Sequence, residues 1–171
     1  MSEPTANTRA TISISSKGTQ LGEIVLRFYH DVAPGHVKNF TTLAQEGFYN
    51  GTTFHRINQS VVQGGDPLSK DADPSNDGTG KSSKPNVPAE FSDIKYDTGI
   101  VGAARGQDFD SANSQFFITL KRESGFDNRY TIFGKVIEGM QNVRTISGVQ
   151  PKEGERSIEP VKIKCVTIVP R

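Results

Sequence analysis

Alternation of apolar and polar positions opens the chain. Over Ala10–Ser15 the residues Ala10, Ile12 and Ile14 share one face, which predicts a strand. Lys17-Gly18 supplies a turn. The alternation resumes over Leu21–Tyr29, with Ile24, Leu26 and Phe28 set against Val25 and Arg27, so the two segments predict a hairpin. The period then changes. Pro34 opens a helix at a position where its missing N–H costs little; Val37, Phe40, Leu43 and Ala44 recur at helical spacing, and Gly47 stops it. That apolar stripe reads as core contact.

Further along, Asn50-Gly51 is a turn signal, and Thr52-Thr53-Phe54 and Val61-Val62 have strand character. They predict two paired strands, with Asn58-Gln59-Ser60-Val61-Val62 short enough for a tight reversal between them. Asp66–Pro88 is a long polar loop, of the kind that is functional or well packed inside a compact domain. Strands are predicted over Thr98–Ala104, Ser114–Leu120, Tyr130–Val136 and Ile163–Val169, with a loop over Gly106–Asn113. Met140, Val143, Arg144 and Ile146 suit a short helix closed by Gly148. Many strands, two helices and no repeated βα unit point to a mainly β protein, a closed or nearly closed antiparallel barrel. Residues 1–8 read as a frayed tail and 9–171 as one domain.

Charge narrows the partners. Lys plus Arg number 20 and Asp plus Glu 19, so no basic excess marks a nucleic-acid or anionic-membrane surface. Cys165 is the single cysteine, which excludes an internal disulfide and a cysteine metal cluster; on a late strand it reads as a small buried hydrophobe. No apolar run reaches membrane-spanning length and Met1–Arg9 has no signal-peptide core, so a cytoplasmic protein is expected. Without a signal, the Asn-x-Ser/Thr triplets at Asn39, Asn50 and Asn58 read as chance.

Candidate chemistry centres on Phe54-His55-Arg56-Ile57 and Gln63-Gly64-Gly65-Asp66. If the two strands pair, Arg56 and Gln63 can point to one face. A guanidinium and an amide on a partly apolar surface suit a neutral polar ligand such as a peptide bond. A surface arginine beside a glycine bulge is the other reading, and this stretch alone does not separate them.

Other motifs fail on spacing. Gly80-Lys81-Ser82 ends like a phosphate loop, but the glycine expected five positions earlier is Ser75, and no strand precedes it. Asp73, Ser75, Asp77 and Gly78 imitate a calcium loop, but its twelfth position is Lys84 rather than Glu, and Pro74 spoils the flanking helix. His30, His36 and His55 lack metal-ligand spacing, and no Gly-x-Ser-x-Gly occurs.

Taken together, Ala33-Pro34 through Asn39-Phe40, Glu46 through Ile57, Gln63-Gly64-Gly65-Asp66, Gly78-Thr79-Gly80, Glu90-Phe91, Ser114 through Ile118 and Phe133-Gly134-Lys135-Val136 resemble the cyclophilins, a family of peptidyl-prolyl isomerases. The stretches follow the family's order from about residue 10 to residue 169, a combination far more specific than any one piece. The resemblance implies an antiparallel barrel of about eight strands capped by two helices, with no metal and no cofactor. It implies Arg56 as the catalytic arginine, Gln63 and Gln115 as pocket glutamines and Phe117 as the base of the proline pocket. Val61 and Phe126 would help grip the ring. Ala104-Arg105-Gly106 would lie along the bound peptide, and Tyr130 would replace the pocket histidine. The implied partners are proline-containing peptides and unfolded or flexible segments, met by a monomer.

Three departures set further expectations. The turn between Arg56 and Gln63 is one residue short, and Ser60-Val61 stands where the family has a pair such as Phe-Met. Gly125 stands where the family carries the tryptophan associated with cyclosporin, and this chain has no tryptophan. An open pocket wall, reduced activity and weak cyclosporin binding are therefore expected. Two other functions are weighed against the isomerase. One is a proline-peptide binding module or chaperone with little turnover, which Ser60 and the short turn favour. The other is a barrel carrying small apolar molecules, against which Ile24, Leu26, Phe116, Ile118 and Ile132 look bulky enough to fill the interior.

Overall fold

The computed structural model describes residues 4–71, 74–149 and 160–169. Within them run eight strands: β1 (Arg9–Ser16), β2 (Thr19–Phe28), β3 (Arg56–Ile57), β4 (Val61–Gly64), β5 (Ile100–Ala103), β6 (Phe116–Thr119), β7 (Ile132–Glu138) and β8 (Lys162–Val169). Two α-helices, α1 (Pro34–Gln45) and α2 (Met140–Ser147), pack against them. The strands form one curled antiparallel sheet in the order β3-β4-β6-β5-β7-β2-β1-β8. Backbone hydrogen bonds also tie Gly51–Phe54, just before β3, to Val161–Ile163 at the start of β8.

The period-2 reading of the hairpin holds in detail. Ala10, Ile12 and Ile14 of β1 and Ile24 and Leu26 of β2 are fully buried, while Arg27 is exposed. The same alternation continues across the ladder. Ile57, Val62, Ile118, Val101, Gly134 and Phe28 form one row of paired residues, and all its side chains enter the main core. A shift of one residue would put this row on the opposite face, so the register is strongly specified.

Helix α1 docks through Phe40, whose ring lies 5.0–5.8 Å from those of Phe28, Tyr49, Phe116 and Phe133. Tyr49 is buried, and its hydroxyl donates to the Ser114 carbonyl at 3.0 Å; burial pushes its pKa up. The first turn of α1 is capped from far away in sequence. The Glu90 carboxylate accepts from the Gly35 and His36 backbone N–H groups and meets His36 Nδ1 at 2.6 Å. His36 Nε2 is buried and has no hydrogen-bond partner among the described residues, and burial lowers the imidazole pKa despite the neighbouring carboxylate. At the other helix, Gly22 lacks a Cβ where Asn142 sits, and Asn142 Nδ2 donates to the Glu23 carbonyl at 2.7 Å.

Several sequence expectations change. The strand containing Arg56 has only two residues, because backbone N–H groups of the preceding segment bond elsewhere: Phe54 to Val161, and Thr53 to the Ser69 hydroxyl. Ile132 does not line the interior; it belongs to a second cluster on the opposite face of the sheet, beside Phe117. Cys165 is half-buried on β8 rather than buried. Thr5–Thr8, in the stretch expected to fray, makes a hydrogen-bonded turn with Thr8 buried. The long loop carries two short 3₁₀ segments, Pro67–Lys70 and Pro74–Asn76. Among the described residues no helix is long and apolar enough to cross a membrane.

Candidate functional site

A second row of paired residues faces away from the core. Arg56 pairs with Gln63, Gln63 with Phe117, Phe117 with Gly102 and Gly102 with Ile132. Directly opposed residues on neighbouring strands share a face and stand within contact range of each other. The ladder therefore places a guanidinium, an amide and an aromatic ring side by side on that face. The turn that permits this is held by Asn58, whose Oδ1 accepts from Ser60 N at 2.8 Å and Val61 N at 3.0 Å. The Ser60 carbonyl accepts from Leu120 N at 2.8 Å, so the short turn is seated on the end of β6.

The amides are oriented by each other. Gln63 Nε2 donates to Gln115 Oε1 at 3.0 Å, and Gln115 Nε2 donates to the Gly80 carbonyl at 3.0 Å. Gly80 is held there by the loop. Asp66 is fully buried; its carboxylate accepts from Leu68 N at 2.8 Å and from Gly78 N. A Cβ at Gly80 would strike that carboxylate, and a Cβ at Gly65 (φ +92°) would strike the Ser114 carbonyl. Those collisions account for glycine in the segments Gln63-Gly64-Gly65-Asp66 and Gly78-Thr79-Gly80.

Phe117 anchors an aromatic group. Its ring lies 5.7 Å from Tyr96, 5.6 Å from Phe126 and 5.7 Å from Tyr130, the first stacked and the others edge-on. Val61, two residues before Gln63 and on the same face, packs in the same cluster, and Ala104 packs against it. Phe126 is delivered by a 3₁₀ turn over Ser124–Phe126. Beside this group lies a cavity of about 560 Å³ lined by Arg56, Gln63, Gln115, Ala104, Arg105 and Gly106 together with residues 77–81. The site residues expected from sequence thus fall into two adjoining sets: an apolar set around Phe117 and a polar set around Arg56. Gln63 touches both through its ladder partners, and Ala104 belongs to both.

Arg105 is placed differently from a free charge. Its Nε and Nη2 donate to the Arg129 carbonyl at 3.0 and 2.5 Å, and Nη1 donates to the Gly106 carbonyl at 2.9 Å. Its guanidinium carbon lies 4.5 Å from the ring centres of both Tyr130 and Phe109.

Sequence reasoning missed Tyr96 and Gly102. Tyr96 is fully buried; its hydroxyl donates to the Tyr130 carbonyl at 2.9 Å, and burial raises its pKa. It lies outside any strand or helix, where periodicity is silent; the i, i+2 pair Ile94 and Tyr96 is the only local hint. A salt bridge anchors that segment. Asp127 accepts from Tyr96 N and pairs with Arg122 at 2.5 Å; the Arg122 bond, then the backbone bond, holds its carboxyl at about 2. Among the described residues no cluster of His, Cys, Asp or Glu could hold a metal ion; Asp73, part of the calcium-like motif, lies outside them.

A curled eight-stranded antiparallel sheet with two helices, carrying this row on one face, is the frame of a cyclophilin-type protein. The comparisons with known proteins agree. The family model described as "Cyclophilin type peptidyl-prolyl cis-trans isomerase/CLD" matches residues 11–168. A Brucella abortus protein named "Probable peptidyl-prolyl cis-trans isomerase" is 40% identical over 152 residues, covering 86% of this chain and 78% of its own. "Peptidyl-prolyl cis-trans isomerase-like 1" of Mus musculus is 36% identical over 151 residues, covering 85% and 86%. A crystal structure of a Cryptosporidium parvum cyclophilin type peptidyl-prolyl cis-trans isomerase superposes with a TM-score of 0.84 at 26% identity, covering 96% of this chain and 98% of that one. The same protein crystallised in the presence of the dipeptide Ala-Pro gives 0.81, also at 26% identity, with coverage of 94% and 99%. The chain belongs to the cyclophilin family.

Proposed function

We propose that the protein accelerates cis-trans isomerisation of X-Pro bonds in peptides and flexible protein segments. The row that sets Arg56, Gln63 and Phe117 side by side on one sheet face carries this reading. An X-Pro bond has a trans preference of only about 0.5–1 kcal/mol, yet it turns over tens of seconds because amide resonance must be broken. In the twisted transition state the proline nitrogen regains a lone pair. Arg56 would be the donor that meets it, an interaction that the planar ground state hardly makes and that would therefore lower the barrier. Phe117, with Val61, Phe126 and Tyr130, would take the proline ring. Gln63 and Gln115, already bonded to each other, would hold the polar side of the peptide. No proton moves and no covalent intermediate forms.

The backbone bonds between 51–54 and 161–163 support reading the sheet as a closed barrel, a rigid frame for such preorganisation. The short Asn58–Ser60 turn supports reduced turnover relative to relatives with an aromatic wall, and Gly125 supports weak cyclosporin binding. Net charge near zero fits a protein that meets varied peptide segments as a monomer. A protease-coupled assay on a tetrapeptide containing one X-Pro bond tests the reading. Acceleration over the uncatalysed rate is expected. Saturable binding of that peptide without acceleration would make the protein a proline-binding module instead.

A further inference from the structure

Two of the large hydrophobic side chains that the fold leaves exposed stand together. Phe109 is 53% exposed and Phe91 39% exposed, and their rings meet edge to face at 5.5 Å. They lie far apart in sequence, on two loops that the structure brings together. Ala89 N donates to Asp110 Oδ1, and the Val87–Ala112 bridge joins the same loops. The pair is therefore held in place and not left to wander.

It is also continuous with the apolar pocket. Phe117 meets Tyr130 at 5.7 Å; Tyr130 meets the Arg105 guanidinium at 4.5 Å; the same guanidinium meets Phe109 at 4.5 Å. Each nitrogen of Arg105 donates to a backbone carbonyl, so the guanidinium is held in place as a bridge between two rings. The result is one continuous strip running from Phe117 to Phe91, in which the ring pairs meet edge to face and the guanidinium lies between Tyr130 and Phe109.

We infer that Phe109 and Phe91 form a flanking subsite for an aromatic or large aliphatic side chain of the same substrate chain whose proline occupies the Phe117 pocket. This deepens the isomerase reading and rests on it. Two rings offer far too little area for a separate stable partner, which needs about 1,000 Å² in total. A peptide already held at its proline meets the strip without paying again for association, so a small apolar contact is enough to register. An extended chain advances about 3.3 Å per residue, which places the favoured side chain about three to five residues from the proline. Asp108 and Asp110 beside Phe109 set an acidic border, so a neutral or basic flank is preferred.

The test uses decapeptides with one X-Pro bond and a single phenylalanine moved from two to five residues on either side of it. Exchange rates by NMR give KM and kcat, with the alanine version of each peptide as reference. One register is expected to lower KM by about five- to tenfold with kcat unchanged. Phe109→Ala should erase that gain and leave turnover of a plain tetrapeptide at the wild-type value. Phe91→Ala, a second exposed position, should erase part of it. No gain in any register, or a gain that survives Phe109→Ala, overturns the inference while leaving the isomerase reading intact. If the tetrapeptide itself is not turned over, that reading fails; the decapeptides then still report on the strip through Kd from shift titration. Concentration-dependent dimerisation abolished by Phe109→Ala would assign the strip to a second copy of this chain and likewise overturn it.

Discussion

Phe117 occupies the space that a side chain at its ladder partner Gly102 would need. A Cβ on Gly102 would come within 2.5 Å of Phe117 Cζ and collide with the Tyr96 hydroxyl as well. The ring can lie flat across β5 only because the opposing residue is glycine. Gly102→Ala is expected to push Phe117 off this position, lowering stability by about 1–3 kcal/mol through overpacking. Tm should fall by about 3–10 °C, and KM for a proline peptide should rise. An unchanged Tm and KM would show that the floor of the pocket yields freely.

Arg56 is exposed at its position on β3, so its removal should leave the fold alone. For Arg56→Ala the expected loss is about 3 kcal/mol of transition-state stabilisation, roughly a hundredfold in kcat/KM. Circular dichroism and Tm should match the parent. Near-parental rates would remove Arg56 from the mechanism.

Gly125 has open space around it: among the described residues nothing lies within 4 Å of a Cβ built there, and its φ is outside the left-handed region. Gly125→Trp should therefore be accepted with a stability change within about 0.5 kcal/mol. The indole adds apolar area and an N–H donor beside Phe126, and cyclosporin affinity measured by calorimetry should rise at least about tenfold. No rise would show that the affinity is limited elsewhere, the short Asn58–Ser60 turn first among candidates.

That turn invites its own variant. Inserting one residue and placing Phe-Met before Val62 would restore an aromatic wall over Phe117. Substrate burial against such a ring is worth less than the about 1.5–3 kcal/mol of a fully buried side chain. The gain in kcat/KM should be about ten- to a hundredfold and appear mainly in KM. If the parent already turns over as fast as relatives with the longer turn, Val61 and Phe126 supply the wall.

Asp127 gives the acid dependence. Its folded carboxyl sits at about 2, against an ordinary 3.8, because it bonds Arg122 and Tyr96 N. A depressed carboxylate contributes stability that is complete above the ordinary value and is lost as pH falls toward the folded one. Urea midpoints should fall across roughly pH 4 to 2 more steeply for the parent than for Asp127→Asn. At about pH 7 the variant should be the less stable of the two. Parallel curves would mean that the pair contributes nothing to folding.

Much of this protein can be read from its residues taken in order. Alternation in β1 and β2, the helical stripe of α1, and the short helix closed by Gly148 depend on spacing within one element, and each is where the pattern puts it. The Arg56 and Gln63 pairing was legible too, because a short turn between β-branched segments leaves little choice of register. What lies across several elements was not. Periodicity reports which face a residue shares with its own neighbours and says nothing of what another strand brings opposite. Only the tertiary structure put Phe117 between Gln63 and Gly102, set Ile132 on the outer face, and carried Tyr96 from a stretch without regular structure to the underside of the pocket. Glu90 caps α1 from more than fifty residues away, and Arg105 spends its charge on backbone carbonyls between two rings. Such contacts are made by loops whose ends the sheet has already fixed, so their meaning exists only once the sheet has formed.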